Sequence, residues 1–152
     1  MLSPGLLTHL TREALEAARA GDDDRTVEIT GRITDQADAL DLVAACRVVA
    51  HSALRALLAL YRMPDTARGE AWVLDQLGNA EGHPERLFAA RLITAYANHD
   101  HDHVTALVAA AAAASRTERA ESLRSLVTYA AELDARAARH HHPTKETETD
   151  EH

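Results

Sequence analysis

The sequence predicts an all-α protein of about seven helices, arranged as stacked αα-hairpins or as an irregular bundle with a C-terminal capping helix. Three observations predict it. Apolar residues recur at helical spacing along most of the chain. Of the 152 residues 46% are hydrophobic but only 3% aromatic, so the apolar content is mainly Ala, Leu and Val, and Ala is the strongest helix former. The six Gly and four Pro fall mostly where a helix would start or stop. The length suits one domain with a sizeable core. That domain is assigned to residues 1–139, with 140–152 as a disordered, His-rich and acidic tail that carries no aliphatic residue.

The first helix starts at Ser3, an N-cap followed by Pro4 where proline is tolerated. Leu7, Leu10, Ala14 and Ala17 give it a core stripe, and Gly21 suits a left-handed residue past its end. Asp22, Asp23 and Asp24 read as a solvated turn that caps the next helix, since calcium loops alternate their ligands around a glycine turn. Thr26 to Thr34 alternates Val27, Ile29, Gly31 and Ile33 like a strand, yet Val27, Thr30, Ile33 and Ala37 also fit one helical face. A lone strand would leave its backbone groups unpaired, so helix is the reading.

Asp38 to Arg62 is the central helix, capped by Asp38 with Asp41 three residues on. Leu40, Val43, Val49, Leu54, Leu57, Leu58 and Tyr61 cover most of its circumference, which places it inside the fold. Arg47, His51 and Arg55 form one thin polar line along it. After a stop at Met63, Pro64 and Asp65, a fourth helix runs from about Thr66 to Leu77 through Ala67, Ala71 and Leu74. Gly78, Asn79 and Gly82 mark the next break. Pro84 and Glu85 open a fifth helix with Phe88, Leu92, Ala95 and Tyr96 on its stripe.

Asn98 to His103 is a turn, and Asp100 or Asp102 is the N-cap of a sixth helix. Its alanine run, Ala109 to Ala114, reads as a surface for close approach by a neighbour. Ser115 and Glu118 make a capping-box pattern before a seventh, amphipathic helix with Leu123, Leu126, Val127, Ala130, Leu133 and Ala137 on one face. Pairing consecutive helices leaves this last one to cover an exposed end. An internal match supports hairpins: Ala18 to Ile29 aligns without a gap with Tyr96 to Leu107, at an offset of 78 residues.

The run Gly21-Asp22-Asp23-Asp24-Arg25-Thr26-Val27-Glu28, with its counterpart near Asp100 and the small residue Ala14, resembles the turn and second-helix start of tetratricopeptide repeats. Thr26 stands where that family has alanine, and no unit carries its full aromatic and glycine signature. The resemblance implies a helical-hairpin stack and, by fold analogy, binding of a protein or peptide.

Charge narrows the functional classes. A formal net charge of −8 without a basic run argues against nucleic acid, whose phosphates need clustered Lys and Arg. Asp41, Arg47 and Arg55 interrupt the central helix and leave no uncharged run of membrane length. The first residues lack a basic region and a long apolar stretch, so no secretion signal is read. The single cysteine, Cys46, has no intramolecular disulfide partner and reads as a buried, inert thiol. These features indicate a soluble, cytoplasmic protein. Nucleotide-binding glycine loops, nucleophile elbows and paired Glu-x-x-His motifs are absent from the sequence, so no catalytic residue is assigned.

The leading function is therefore a noncatalytic interaction or regulatory module that engages an acidic protein or peptide, or its own copy, through Arg47, His51 and Arg55. No cofactor is assigned to that reading. The alternative uses His99, His101 and His103, interleaved with Asp100 and Asp102, as ligands for zinc, nickel or a similar divalent transition metal, either in a metal-binding protein or in a metal-dependent enzyme.

Overall fold

A computed structural model describes residues 2–73 and 84–141. Among the described residues the secondary structure is six α-helices and one 3-10 turn, without strands: α1 (Pro4–Arg19), α2 (Asp23–Gln36), α3 (Ala39–Leu60), α4 (Pro84–Ala97), α5 (His101–Ala113) and α6 (Arg116–His141). The all-α expectation is met. Of the predicted tail, His140 and His141 continue α6, and 142–152 lie outside the described residues.

Helix α1 begins as read, with the Ser3 hydroxyl accepting from Leu6 N–H and Pro4 in the first turn. Its buried face is Leu7, Leu10, Thr11, Ala14, Leu15 and Ala17. The β-branched residues of α2 do form a helix, because the buried set is Thr26, Ile29, Thr30, Ile33 and Thr34, which follows helical spacing. Val27, one of the four alternating residues, is 46% exposed. Burying so many threonines works because each hydroxyl is satisfied within the helix. Thr26, Thr30 and Thr34 donate to the carbonyls of Asp22, Thr26 and Thr30 at 2.8, 2.7 and 3.0 Å, as Thr11 does to Leu7 at 2.7 Å. Only the methyl side is then left to pack.

Helix α3 is capped by Asp38 and Asp41 in a reciprocal capping box. Asp41 also accepts from Leu2 N–H at 3.0 Å, tying the start of the chain to α3. The backbone N–H of Leu2, then that of Asp38, holds the Asp41 carboxyl below the usual carboxylate range. A depressed folded-state pKa stabilises the protein above the unfolded value of about 3.9, and this contribution is lost as pH falls through the folded value. Asp41→Asn should therefore lower the denaturation midpoint near pH 7, and the gap to wild type should close as the solution is acidified below about pH 4. Urea melts across that range check this, and a gap independent of pH would refute it.

The burial of α3 differs from its expected all-round coverage. Its inward face is Leu42, Ala45, Cys46, Val49, Ala50, Ala53, Ala56 and Leu57, while Leu40 and Leu58 are 80% and 45% exposed. At 22 residues α3 is long and apolar enough to cross a membrane by length and composition; here α1, α4, α5 and α6 pack on it. Burial pushes the Cys46 thiol up to about 12. A thiol-reactive disulfide should accordingly modify native Cys46 at least about 1,000-fold more slowly than the urea-unfolded chain, since only the globally unfolded fraction reacts. Fast native labelling would show that α3 is exposed there.

The fourth predicted helix is corrected. Thr66–Arg68 is a single 3-10 turn, capped by Asp65 and ended by Gly69 at φ 75°, and 70–73 continues without helix. A glycine in the left-handed region stops the turn before a second one can form. The predicted positions Leu74 and Leu77, and the break at Gly78, Asn79 and Gly82, lie outside the described residues. The count of about seven is thus six α-helices among those described.

The role of the last helix is corrected too. Helix α6 does not cap an end; it contacts α1, α2, α3, α4 and α5. Asp35, in the last turn of α2 before α3 begins, pairs with Arg116 at 2.6 Å, and Tyr61, just after α3, accepts from Arg136 at 2.8 Å. Helices α3 and α6 therefore run in the same direction, side by side. Charged residues on α6 tie it to its neighbours: Asp134 to Arg19 and Ser52, and Glu132 to Arg86. The alanine run is a packing surface only in part, through half-buried Ala112 against the core. In α5 only Val104 and Val108 are buried, and Ala109 to Ala114 are exposed or half-buried.

The aligned segments at offset 78 form the same turn. Ala20, Gly21 and Asp22 donate to the carbonyls of Glu16, Ala18 and Ala17; Asn98, His99 and Asp100 donate to those of Thr94, Tyr96 and Ala95. Gly21 and His99 both take positive φ, 73° and 61°. Asp22 and Asp100 cap the following helix at φ −86° and −88°, accepting from the N–H of Arg25 and His103.

Candidate functional site

Helix α3 presents its inward face to four other helices, and the opposite face is left at the surface. Arg47, His51 and Arg55 all lie exposed on it, together with Ala44 and Leu58. Leu40 at one end, 80% exposed, extends the row with an apolar side chain. Among the described residues neither Arg47 nor Arg55 has an ion-pair partner. Guanidinium groups so placed offer a planar pair of donors to a carboxylate.

The matching face of α6 is closed. Seventy-eight positions after His51 stands Tyr129, which is 2% exposed. The Arg86 guanidinium lies 4.9 Å from its ring centroid and is itself held by Glu132 at 3.1 Å. Burial raises the Tyr129 phenol above its ordinary value, and the hydrogen bond to Glu132 raises Arg86. Parallel central helices thus differ in what they show to solvent, one covered and one open.

The histidines of the turn divide between two surroundings. His99 occupies the left-handed position after α4, and His101 and His103 lie in the first turn of α5 rather than in a loop. His101 sits edge-on to Tyr96, with centroids 6.3 Å apart, and His99 is 6.4 Å from His101. Tyr96 in turn meets His51, its hydroxyl 3.3 Å from Nδ1. His103 instead has Nδ1 3.9 Å from Asp100 Oδ2 and lines a separate cleft with Arg91 and Thr94. Residues two apart on a helix do not face one another, which separates His101 from His103. Among the described residues no three His, Cys, Asp or Glu side chains are grouped to hold a metal ion.

The α3 row and the histidine turn, far apart in the chain, are therefore neighbours through Tyr96. Sequence reasoning missed this residue by assigning it wholly to the stripe of its helix. The available signal was its hydroxyl, which needs a partner wherever the ring is half-buried. Arg91 was missed as well, being one exposed arginine among many.

No family model matches the chain, and no curated protein or solved structure matches it.

Proposed function

We propose that this chain is a noncatalytic, cytoplasmic interaction module that binds an acidic segment of a partner protein across the exposed face of α3. The observation that carries this reading is the open row Arg47, His51 and Arg55, its arginines unpaired among the described residues, on a helix whose opposite face is turned inward. Two guanidinium groups and a histidine on a chain of net charge −8 favour a carboxylate-bearing partner, and Leu40 and Leu58 offer apolar contacts along the same face. The α1–α2 hairpin carries the tetratricopeptide resemblance, which by fold analogy supports peptide binding.

A fluorescent amphipathic peptide of Glu and Leu tests the chemistry. Anisotropy should show saturable binding that weakens with salt, and Arg47→Glu with Arg55→Glu should weaken it about 100-fold, the loss of two charge-assisted hydrogen bonds. Equal affinity of wild type and the double variant would end this reading. Sedimentation of both proteins separates a foreign partner from a second copy: self-association abolished by the double substitution would make the partner the chain itself.

A further inference from the structure

The two turns at offset 78 share backbone geometry but differ in the side chains that close them. In the first, Glu13 of α1 stands between two donors, its Oε1 3.6 Å from Arg25 Nη2 and 3.4 Å from His9 Nε2. A carboxylate thus bridges the two helices just above the turn. The residues at the corresponding positions of the second turn are Arg91 and His103, with Leu87 in place of His9. Neither Arg91 nor His103 carries the anion that Glu13 supplies.

What remains at that place is a cleft of about 320 Å³ lined by Arg91, Thr94, Asn98, Asp100 and His103. That volume falls within the range of small-molecule sites. Arg91 is exposed and has no ion-pair partner among the described residues. The Thr94 hydroxyl is inaccessible and has no hydrogen-bond partner, unlike Thr11, Thr26, Thr30 and Thr34, which all donate to the carbonyl four residues back. A buried hydroxyl left over in this way is uncommon.

The other polar groups are spent. Asn98 uses both ends of its amide on the Trp72 backbone. Asp100 Oδ1 accepts from His103 N–H at 3.1 Å, and Oδ2 lies 3.9 Å from the His103 ring. Asp100 is the group that opposes an anion here, and it confines the favourable place to the Arg91 side of the cleft.

The geometry points to a ligand site: the cleft between α4 and α5 takes a small organic carboxylate, whose anionic group rests on the Arg91 guanidinium and supplies there the charge pairing that Glu13 makes with Arg25 in the other half. This site is independent of the α3 row.

The test uses the full chain and glutarate at constant ionic strength, followed by amide and arginine side-chain NMR. Saturable shifts confined to residues 91–104 are expected, with affinity reduced at least tenfold by Arg91→Gln. A second variant, Arg91→Glu with His103→Arg, re-creates the pair found at positions 13 and 25. It should fold, keep the wild-type thermal midpoint or exceed it, and not bind. Uniform, non-saturating shifts would overturn the proposal, as would unchanged affinity in Arg91→Gln. Inorganic phosphate displacing glutarate at equal concentration would overturn the carboxylate assignment. If the double variant does not fold, the Arg91→Gln result decides alone.

Discussion

Leu57→Ala will lower the unfolding free energy by about 2–5 kcal/mol, whereas Leu58→Ala, one residue further on, will cost less than about 0.5 kcal/mol. Leu57 is fully buried and Leu58 is 45% exposed, because adjacent helical residues diverge by about 100°. The cost at Leu57 lies toward the upper part of that range for a structural reason. Helices α1, α4, α5 and α6 all pack on α3, so its surroundings are held from several sides and cannot close on the space a shortened side chain leaves. A stability of about 5–15 kcal/mol is ordinary for a domain of this kind, so the substitution removes a large share of it. Urea melts decide the matter: the midpoint should fall sharply for Leu57→Ala at unchanged slope. Similar losses for both leucines would mean that α3 does not present the face described.

The contrast between those two leucines also shows how far the sequence could be read. Apolar periodicity located α1, α3 and α6, and the side-chain caps Ser3, Asp38, Asp100 and Ser115 located where helices start. Such signals are local, so they survive without knowledge of the fold. What they could not reveal is which of several apolar faces meets a neighbour. On α3 the large residues Leu40 and Leu58 were read as core, yet the inward face is mostly alanine with Cys46, because small residues let helices approach closely. On α6 the charges of Glu132, Asp134 and Arg136 lie off the apolar stripe. They are bonded to Arg86, Arg19 and Tyr61 on other elements, and a helix wheel cannot distinguish a charge facing water from one facing a partner.

The error at 66–73 has a different origin. Ala67 and Ala71 fit a helical face, but Gly69 sits between them, and a glycine inside a short helix costs about 1 kcal/mol against alanine. Asp65 with Gly69 four residues later spells a single capped turn, a pattern present in the sequence. At the candidate site, the line Arg47, His51 and Arg55 was legible from spacing alone, and the structure leaves all three exposed. Its proximity to His99 and His101 was not legible, since it depends on Tyr96 arriving from α4 across an interface between distant segments. The cleft at Arg91 is of the same kind: it follows from setting one turn beside the other, residue against residue, which requires knowing that their backbones agree.

Asn98→Ala should release the stretch around Trp72 from the rest of the protein while leaving the helices in place. Trp72 N–H donates to Asn98 Oδ1 at 2.8 Å and Asn98 Nδ2 donates to the Trp72 carbonyl at 3.0 Å. One side chain thus does for a non-helical segment what a neighbouring strand would do, satisfying both backbone groups of one residue. Removing the amide strips both bonds from a part-buried site, which costs about 1–3 kcal/mol locally. The indole is only 6% exposed and is the one tryptophan of the chain, so its emission reports the event directly. A red shift and greater quenching by acrylamide are expected, with far-ultraviolet circular dichroism unchanged. Asn98→Asp, which keeps an acceptor for Trp72 N–H and loses the donor, should fall between the two. Unaltered emission in the alanine variant would show that Trp72 is held by its own apolar burial and that the amide merely follows. Because Arg47, His51 and Arg55 lie on α3 and not on this stretch, the same variant should bind the acidic peptide as wild type does. It thereby separates loss of a local anchor from loss of the proposed binding face.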